Sequence, residues 1–382
     1  MAQMTRRDML AAGTALAATG LAGKALAVPL AATGLDAVAR TRGLRFGSCS
    51  AWSAPGADRG SFANPGYAAL LERDCGVLVA ENEMKWQRTR PSATAFSFDA
   101  FDAMIDWSDA RGMKMRGHTL LWHKIERFPG WLNDYDFGAN PKKEGERLLT
   151  EHIRTLCGRY GKRIYSYDVV NETIDEKTGG QRESSLSRAI GSADAMCDLA
   201  FHTAREAAPH AELVYNDYMD WGSDATHRNG VLKLLEGFRK RGVPVDTLGL
   251  QAHIGPPAGI SAGAAVKERE RGWREFLDAA TGMGYRLAIT EFDVNDRHLP
   301  ADHAVRDAAV AEFARSYLDI TLSYTQLKDV LVWGMCDTYT WLNGFTPRAD
   351  GEIKRATPYD AAFRPKPLYA AIEAALRAAP AR

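Results

Sequence analysis

Glu172 and Glu291 each stand at the end of a short apolar run, in Asp168-Val169-Val170-Asn171-Glu172 and in Ile289-Thr290-Glu291-Phe292-Asp293. Two carboxyl groups facing each other across a cleft can hydrolyse a glycosidic bond. A protonated acid serves the leaving oxygen, and an ionised carboxylate serves the anomeric carbon. Other runs end in groups of the same kind: Glu81-Asn82-Glu83-Met84-Lys85-Trp86, His118 through Trp122-His123, Asn216-Asp217-Tyr218, Gln251-Ala252-His253 and Trp333. Each alone has a plainer reading. A strand-end Asn-Asp makes turns, Lys85 suits a surface salt bridge, His253 suits a satisfied core, and Trp333 or Trp341 suits simple packing. Their recurrence after run upon run is what structure alone does not account for.

The elements that must position these groups are regular. Apolar runs occupy Leu44–Ser50, Gly76–Ala80, Met113–Leu121, Arg163–Val170, Glu212–Asn216, Thr247–Ala252, Arg286–Thr290 and Asp329–Gly334. Continuous rather than alternating apolar character means burial on both faces, as in a parallel sheet. Amphipathic stretches lie between them. Val231, Leu234, Leu235 and Phe238 follow helical spacing before Gly242, and Val310, Phe313, Ala314, Tyr317 and Leu318 form a second stripe. Asn64-Pro65 reads as a cap followed by a first-turn proline. Eight βα units in roughly 330 residues predict a (β/α)8 barrel of one domain, whose chemistry collects at the C-terminal strand ends. No GxGxxG or GxxxxGK[ST] follows a strand, which removes the usual support for a nucleotide-binding α/β fold. Strands four and seven then place Glu172 and Glu291 on opposite sides of the barrel mouth.

The composition is that of an ordinary soluble globular protein. The chain has 382 residues, with 48 Lys+Arg balancing 48 Asp+Glu, so it lacks the basic excess of a nucleic-acid binder. Thr5-Arg6-Arg7-Asp8-Met9-Leu10 opens an alanine-rich apolar run reaching Leu26, with Ala25-Leu26-Ala27 as a cleavage site. Residues 1–27 read as a twin-arginine-type export signal, too short and glycine-interrupted for a membrane span. The expectation is a mature protein without a membrane span, periplasmic or secreted, with residues 28–43 as a lead-in and 44–382 as the catalytic domain. Cys49, Cys75, Cys157, Cys197 and Cys336 have no CxxC spacing, which argues against a metal cluster. Buried inert thiols are expected, with a Cys49–Cys336 bridge open to the first and last strands.

Taken in order, AENEMKW at 80–86, RGHTLLWH at 116–123, YDVVNE at 167–172, NDY, QAH, ITEFDV at 289–294 and VWGMCDTYTWL resemble glycoside hydrolase family 10, the endo-1,4-β-xylanases. The resemblance covers nearly all of residues 44–378. It implies endo-acting, retaining hydrolysis of xylan and xylo-oligosaccharides without a cofactor or metal, and implies no protein partner. Residue by residue, it makes Glu172 the acid/base and Glu291 the nucleophile. It sets Asn171 on the 2-hydroxyl of the sugar under attack, His253 on Glu291, and Asp293 behind His253. Glu81, Asn82 and Lys85 become hydroxyl-binding groups of the next glycone sugar; His118 and Trp122 line the central subsite beside Gln251; Trp333 and Trp341 wall the sugars. Asn216 and Tyr218 are supporting candidates. Asp168 is either a partner of the acid/base or a hydrogen-bonding residue of the barrel wall.

Three departures from the family pattern stand out. Lys124-Ile125-Glu126-Arg127-Phe128-Pro129 replaces a segment that usually carries a glutamine. Tyr167 stands where tryptophan is frequent, and the Arg348–Pro365 loop is long and charged. Exposed Lys124 and Arg127 would either point into water or meet the carboxylate of a glucuronic-acid branch. A β-glucan-cleaving barrel would share the two glutamates but not the Glu81–Lys85 block. A non-catalytic sugar-binding barrel would typically have lost a carboxylate. A metal-dependent hydrolase would want paired strand-end histidines.

Overall fold

The computed structural model describes residues 34–219, 221–222, 224–258 and 262–382. Its strands are β1 (Arg45–Ser50), β2 (Val77–Ala80), β3 (Lys114–Trp122), β4 (Ile164–Asn171), β5 (Glu212–Asp217), β6 (Thr247–Leu250), β7 (Arg286–Val294) and β8 (Leu327–Val332). All neighbours pair in parallel. The sheet closes because β1 pairs with β8 (Arg45 opposite Asp329) and β6 with β7 (Thr247 opposite Arg286). This is the closed eight-stranded (β/α)8 barrel that the sequence pattern predicts.

Successive side chains on a strand point to opposite faces, and the burial follows. On β2, Val77 and Val79 turn into the barrel with Cys49, Leu331 and Trp333, while Leu78 and Ala80 join the layer between strands and helices. That outer layer takes the helical stripes. Helix Thr226–Arg241 buries Val231, Leu234, Leu235 and Phe238 and ends on Gly242 at φ 69°, a left-handed cap. Helix Pro65–Asp74 starts on Asn64, whose side chain accepts from Gly66 N and Tyr67 N. Each fully buried Leu or Phe contributes about 1.5–3 kcal/mol, so the barrel rests on this layer rather than on helix propensity.

The fold starts before β1. Helix Leu35–Arg40 buries Leu35, Val38 and Ala39, and Asp36 Oδ1 accepts from Phe46 N at 2.9 Å. All five cysteines are buried and free, so the Cys49–Cys336 bridge does not form; Cys336 Sγ instead donates to the Asp360 carbonyl at 3.2 Å. Among the described residues no helix is long and apolar enough to cross a membrane. The export segment lies outside the described residues.

Strand ends differ from expectation where the site is built. β6 stops at Leu250 rather than Ala252; His253–Ile254 then pairs with β7 again after Ala252, which takes φ 61°. β3, β4 and β7 run on to Trp122, Asn171 and Val294, and β8 stops at Val332, so Trp333 lies just past it.

Candidate active site

The C-terminal ends of the strands open into a cleft of about 650 Å³. Glu81, Asn82, Lys85, His118, Trp122, Asn171, Glu172, Tyr218, Gln251, His253, Glu291, Trp333 and Trp341 all line it. Asp168, Asn216 and Asp293 lie behind the lining residues and hold them.

Glu291 sits on β7 and is 5% exposed. Its Oε1 accepts from Asn216 Nδ2 at 2.8 Å and lies 4.0 Å from His118 Nδ1; its Oε2 is 3.2 Å from His253 Nε2. Burial alone would raise this carboxyl. His118, the hydrogen bond and charge of His253, and Lys85 outweigh burial and hold it at about 2. Burial likewise opposes charge on His253, but Asp293 and Glu291 on its two sides lift it to about 10. His253 Nδ1 lies 3.0 Å from Asp293 Oδ2, an off-line charge contact, and the same oxygen accepts from Trp341 Nε1 at 2.8 Å. Asp293 therefore ties the histidine to the aromatic wall.

Glu172 follows β4 at φ 54°, a left-handed conformation that costs a non-glycine residue about 1–3 kcal/mol and collects at functional sites. Its backbone N–H still reaches the Asn216 carbonyl at 3.0 Å, and its Oε1 accepts from Gln251 Nε2 at 2.9 Å. Burial raises this carboxyl above the usual range; the Gln251 bond opposes the rise, and the charges of Asp217 and Glu291 add to it. Two buried glutamates in one cleft are thus pushed in opposite directions, the split that separates an acid from an anion.

Between them lies an amide relay. Asn216 donates to Asn171 Oδ1 at 2.9 Å as well as to Glu291, and its own oxygen accepts from Thr290 Oγ1 at 2.7 Å. The alternative orientation of the Asn171 amide excludes the first of these bonds: its oxygen then meets Trp122 Nε1 at 3.2 Å and its nitrogen the Asn216 carbonyl at 3.2 Å, in place of the bond accepted from Asn216 Nδ2. Gly249 on β6 makes room for this relay: a Cβ there would sit 2.3 Å from Asn216 Oδ1.

Asp168 is a barrel-wall residue. It holds His118 Nδ1 at 2.9 Å and Arg116 Nη2 at 2.5 Å, all three almost fully buried, and so acts on the Glu291 side rather than on Glu172. Lys85 Nζ donates to Asn82 Oδ1 at 3.1 Å and lies 4.6 Å from the Trp122 ring centroid. Burial lowers the Lys85 ammonium, with Glu291 and Glu81 opposing; burial raises Glu81, with Lys85 opposing. Trp333 packs edge-on against His118 at 5.4 Å, and Trp341 stacks on Phe345 at 4.6 Å.

A family profile described as "Glycosyl hydrolase family 10" matches residues 34–375. The chain belongs to glycosyl hydrolase family 10. "Endo-1,4-beta-xylanase 2" of Aureobasidium pullulans is 32% identical to this family 10 chain over 302 residues, 78% of it and 79% of the relative. "Endo-1,4-beta-xylanase B" of Thermotoga neapolitana is 31% identical over 323 residues, 84% of each. The crystal structure of native xylanase 10B from Thermotoga maritima matches with TM-score 0.78 at 28% identity, covering 90% of this chain and 98% of that one. Xylanase 10B from Thermotoga petrophila RKU-1, in complex with xylobiose, matches with TM-score 0.77 at 28% identity, covering 90% and 97%.

The departures of this family 10 chain resolve differently. Tyr167 is fully buried against Gly117, away from the cleft. Two charges of the Arg348–Pro365 loop turn inward: Arg348 donates to the carbonyls of Asp296 and Leu299, and buried Lys354 to Asn295 Oδ1 at 2.8 Å. Arg127 is exposed, with its guanidinium 4.8 Å from the Trp122 ring centroid, and Lys124 turns to Glu172. Both heads have partners within the cleft. Glu176, Asp224, His227, Arg228 and Phe345 also line it and were not singled out in the sequence. His227 carried the one usable signal, an ionisable ring soon after Asn216-Asp217-Tyr218; its Nε2 lies 3.2 Å from Asp217. Among the described residues no group of three or more His, Cys, Asp or Glu is arranged to hold a metal ion.

Proposed function

We propose that this cleft hydrolyses internal β-1,4-xylosidic bonds of xylan and xylo-oligosaccharides with retention, Glu291 attacking and Glu172 serving first as acid, then as base. The observation that carries it is the opposed charge preference of the two buried glutamates. In the first step a Glu291 oxygen bonds the anomeric carbon while the bond to the leaving oxygen breaks, and the Glu172 proton passes to that oxygen. In the second step Glu172, now ionised, takes a proton from water as the water oxygen attacks the same carbon and releases Glu291.

In this reading Asn171 bonds the 2-hydroxyl of the sugar under attack, a contact that strengthens in the transition state. His253, backed by Asp293, and Asn216 keep Glu291 ionised and aimed. Glu81, Asn82 and Lys85 supply donors and acceptors for the next glycone sugar, with His118 and Trp122 lining the centre and Trp333 and Trp341 forming apolar walls. The family and the xylanase relatives support xylan over β-glucan. Product analysis on xylan, xyloglucan and carboxymethyl cellulose tests this: a ladder of xylo-oligosaccharides from xylan alone is expected, and faster release from either glucan would overturn it.

We infer export as well, supported by Arg6-Arg7 ahead of the Ala-rich run and by the Ala25-Leu26-Ala27 site. Arg6→Lys/Arg7→Lys should leave the protein in the cytoplasmic fraction. Unchanged export by the double variant would overturn a twin-arginine route.

A further inference from the structure

Glu172 Oε1 is held by Gln251, but its second oxygen faces a cation. Lys124 Nζ lies 3.8 Å from Glu172 Oε2, and 5.5 Å from the ring centroid of Tyr218. The lysine side chain is 28% exposed and that of the glutamate 9%, so the pair sits at the wall of the cleft rather than in open water. The Tyr218 ring beneath the ammonium is itself fixed, because its hydroxyl donates to Glu176 Oε2 at 2.6 Å and accepts from Arg182 Nη2 at 2.8 Å.

The other groups around Glu172 set the contrast. From β5 comes the buried carboxyl of Asp217, which raises Glu172, with His227 Nε2 3.2 Å from its Oδ1. From β7 comes Glu291, which is negative. From β6 comes the neutral Gln251, and from β3 the neutral Trp122. Lys85, after β2, lies over Trp122 and bonds Asn82. Among the described residues Lys124 is the cation within 4.0 Å of the Glu172 carboxylate.

A retaining cycle makes a contradictory demand on this carboxyl. It must hold a proton before glycosylation and must hold none before water attacks. Burial and the two flanking anions serve the first state; the second is served by the donors Gln251 and Trp122, both neutral, and by one cation, Lys124. We propose that Lys124 is a positioning residue for the acid/base, its ammonium stabilising the Glu172 carboxylate in the glycosyl-enzyme and setting the alkaline end of the working pH range. This rests on the reading of Glu172 as acid/base. It explains a lysine in the segment after β3 through the chemistry of the reaction rather than through substrate decoration.

The test is the pH profile of kcat/KM on xylohexaose, whose leaving group needs protonation, for the parent, Lys124→Met and Lys124→Arg. A single charge at this distance near solvent shifts a carboxylate by about half to one pH unit. Lys124→Met should move the alkaline limb up by that amount and leave the acidic limb in place, and Lys124→Arg should restore the parent profile. Raising salt to about 1 M should move the parent toward Lys124→Met, because exposed charge pairing is screened. Glu172→Ala, run on an aryl xylobioside with a good leaving group, keeps the two claims apart. An alkaline limb on xylohexaose unmoved in Lys124→Met, with Glu172→Ala slowed on xylohexaose but spared on the aryl xylobioside, would overturn the role of Lys124 and leave Glu172 as acid/base. A limb that persists in Glu172→Ala would overturn the reading of Glu172. Loss of activity in Lys124→Met by one factor at every pH would make the lysine scaffold only, and would overturn the proposal too.

Discussion

Replacing His253 by glutamine removes the positive charge between Glu291 and Asp293 while leaving an amide within reach of both. His253 Nε2 is 3.2 Å from Glu291 Oε2 and Nδ1 is 3.0 Å from Asp293 Oδ2. Held up to about 10, the imidazole stays charged through the neutral range, and Glu291 is held at about 2. A hydrogen bond to a charged group is worth about 1.5–3 kcal/mol, and one pH unit corresponds to about 1.36 kcal/mol. Glu291 should therefore rise by about one to two units. His118 at 4.0 Å, Asn216 at 2.8 Å and the charge of Lys85 remain to stop it rising further. In kcat/KM against pH on a soluble aryl xylobioside, the acidic limb should move up by that amount and the alkaline limb should stay. Stability gives an independent reading. Pairing raises His253 above its ordinary 6.5, so the stabilisation it supplies is complete below about that pH and is lost as pH rises through about 10. The Tm gap between parent and His253→Gln should be widest below pH 6.5 and close toward pH 10. An acidic limb that does not move would refute the claim that His253 keeps Glu291 ionised.

Glu172→Ala should slow xylan hydrolysis by about 10²–10⁴-fold while sparing the glycosylation step on an aryl xylobioside with a good leaving group; equal loss on both would mean the roles are misassigned. Gly249→Ala places a Cβ 2.3 Å from Asn216 Oδ1, so the amide must shift off Glu291. A fall in kcat of about tenfold or more with unchanged circular dichroism is expected, and an unchanged kcat would sink the relay. Asp168→Asn strips the counter-charge from Arg116, which is 1% exposed, and should cost about 3–5 kcal/mol in urea unfolding; a loss under about 1 kcal/mol would show that Arg116 finds another partner.

The barrel and its chemical rim were legible because both follow from local pattern. A strand buried on two faces is a continuous apolar run, and the groups at its C-terminal end are read directly from the next few residues. What stayed hidden depends on direction inside the closed barrel. Asp168 kept two readings in the sequence because only closure shows that its carboxylate meets Arg116 and His118 from β3. Asn216-Asp217 looked like a turn signal, yet Asn216 points inward and donates to Glu291 across strands. Long charged side chains were the hardest. Lys124 and Arg127 are three residues apart in one segment, but one goes to Glu172 and the other to Trp122. Of the charges in the Arg348–Pro365 loop, Arg348 and Lys354 pin Asp296, Leu299 and Asn295 beneath it, while Glu352 and Arg364 stay exposed, a division the sequence does not show. Helix Leu35–Arg40 escaped notice because six residues are too few to show a period.

The central claim is that Glu291 forms the bond to the anomeric carbon. Incubation with a 2-deoxy-2-fluoro-xylobioside bearing a good leaving group slows release of the covalent intermediate more than its formation, so the adduct accumulates for peptide mass spectrometry. One 2-deoxy-2-fluoro-xylobiosyl unit is expected on the peptide containing Glu291, and none in Glu291→Ala. A label on Glu172 or on any other residue, or turnover with no adduct and release of the α-anomer first, would contradict it.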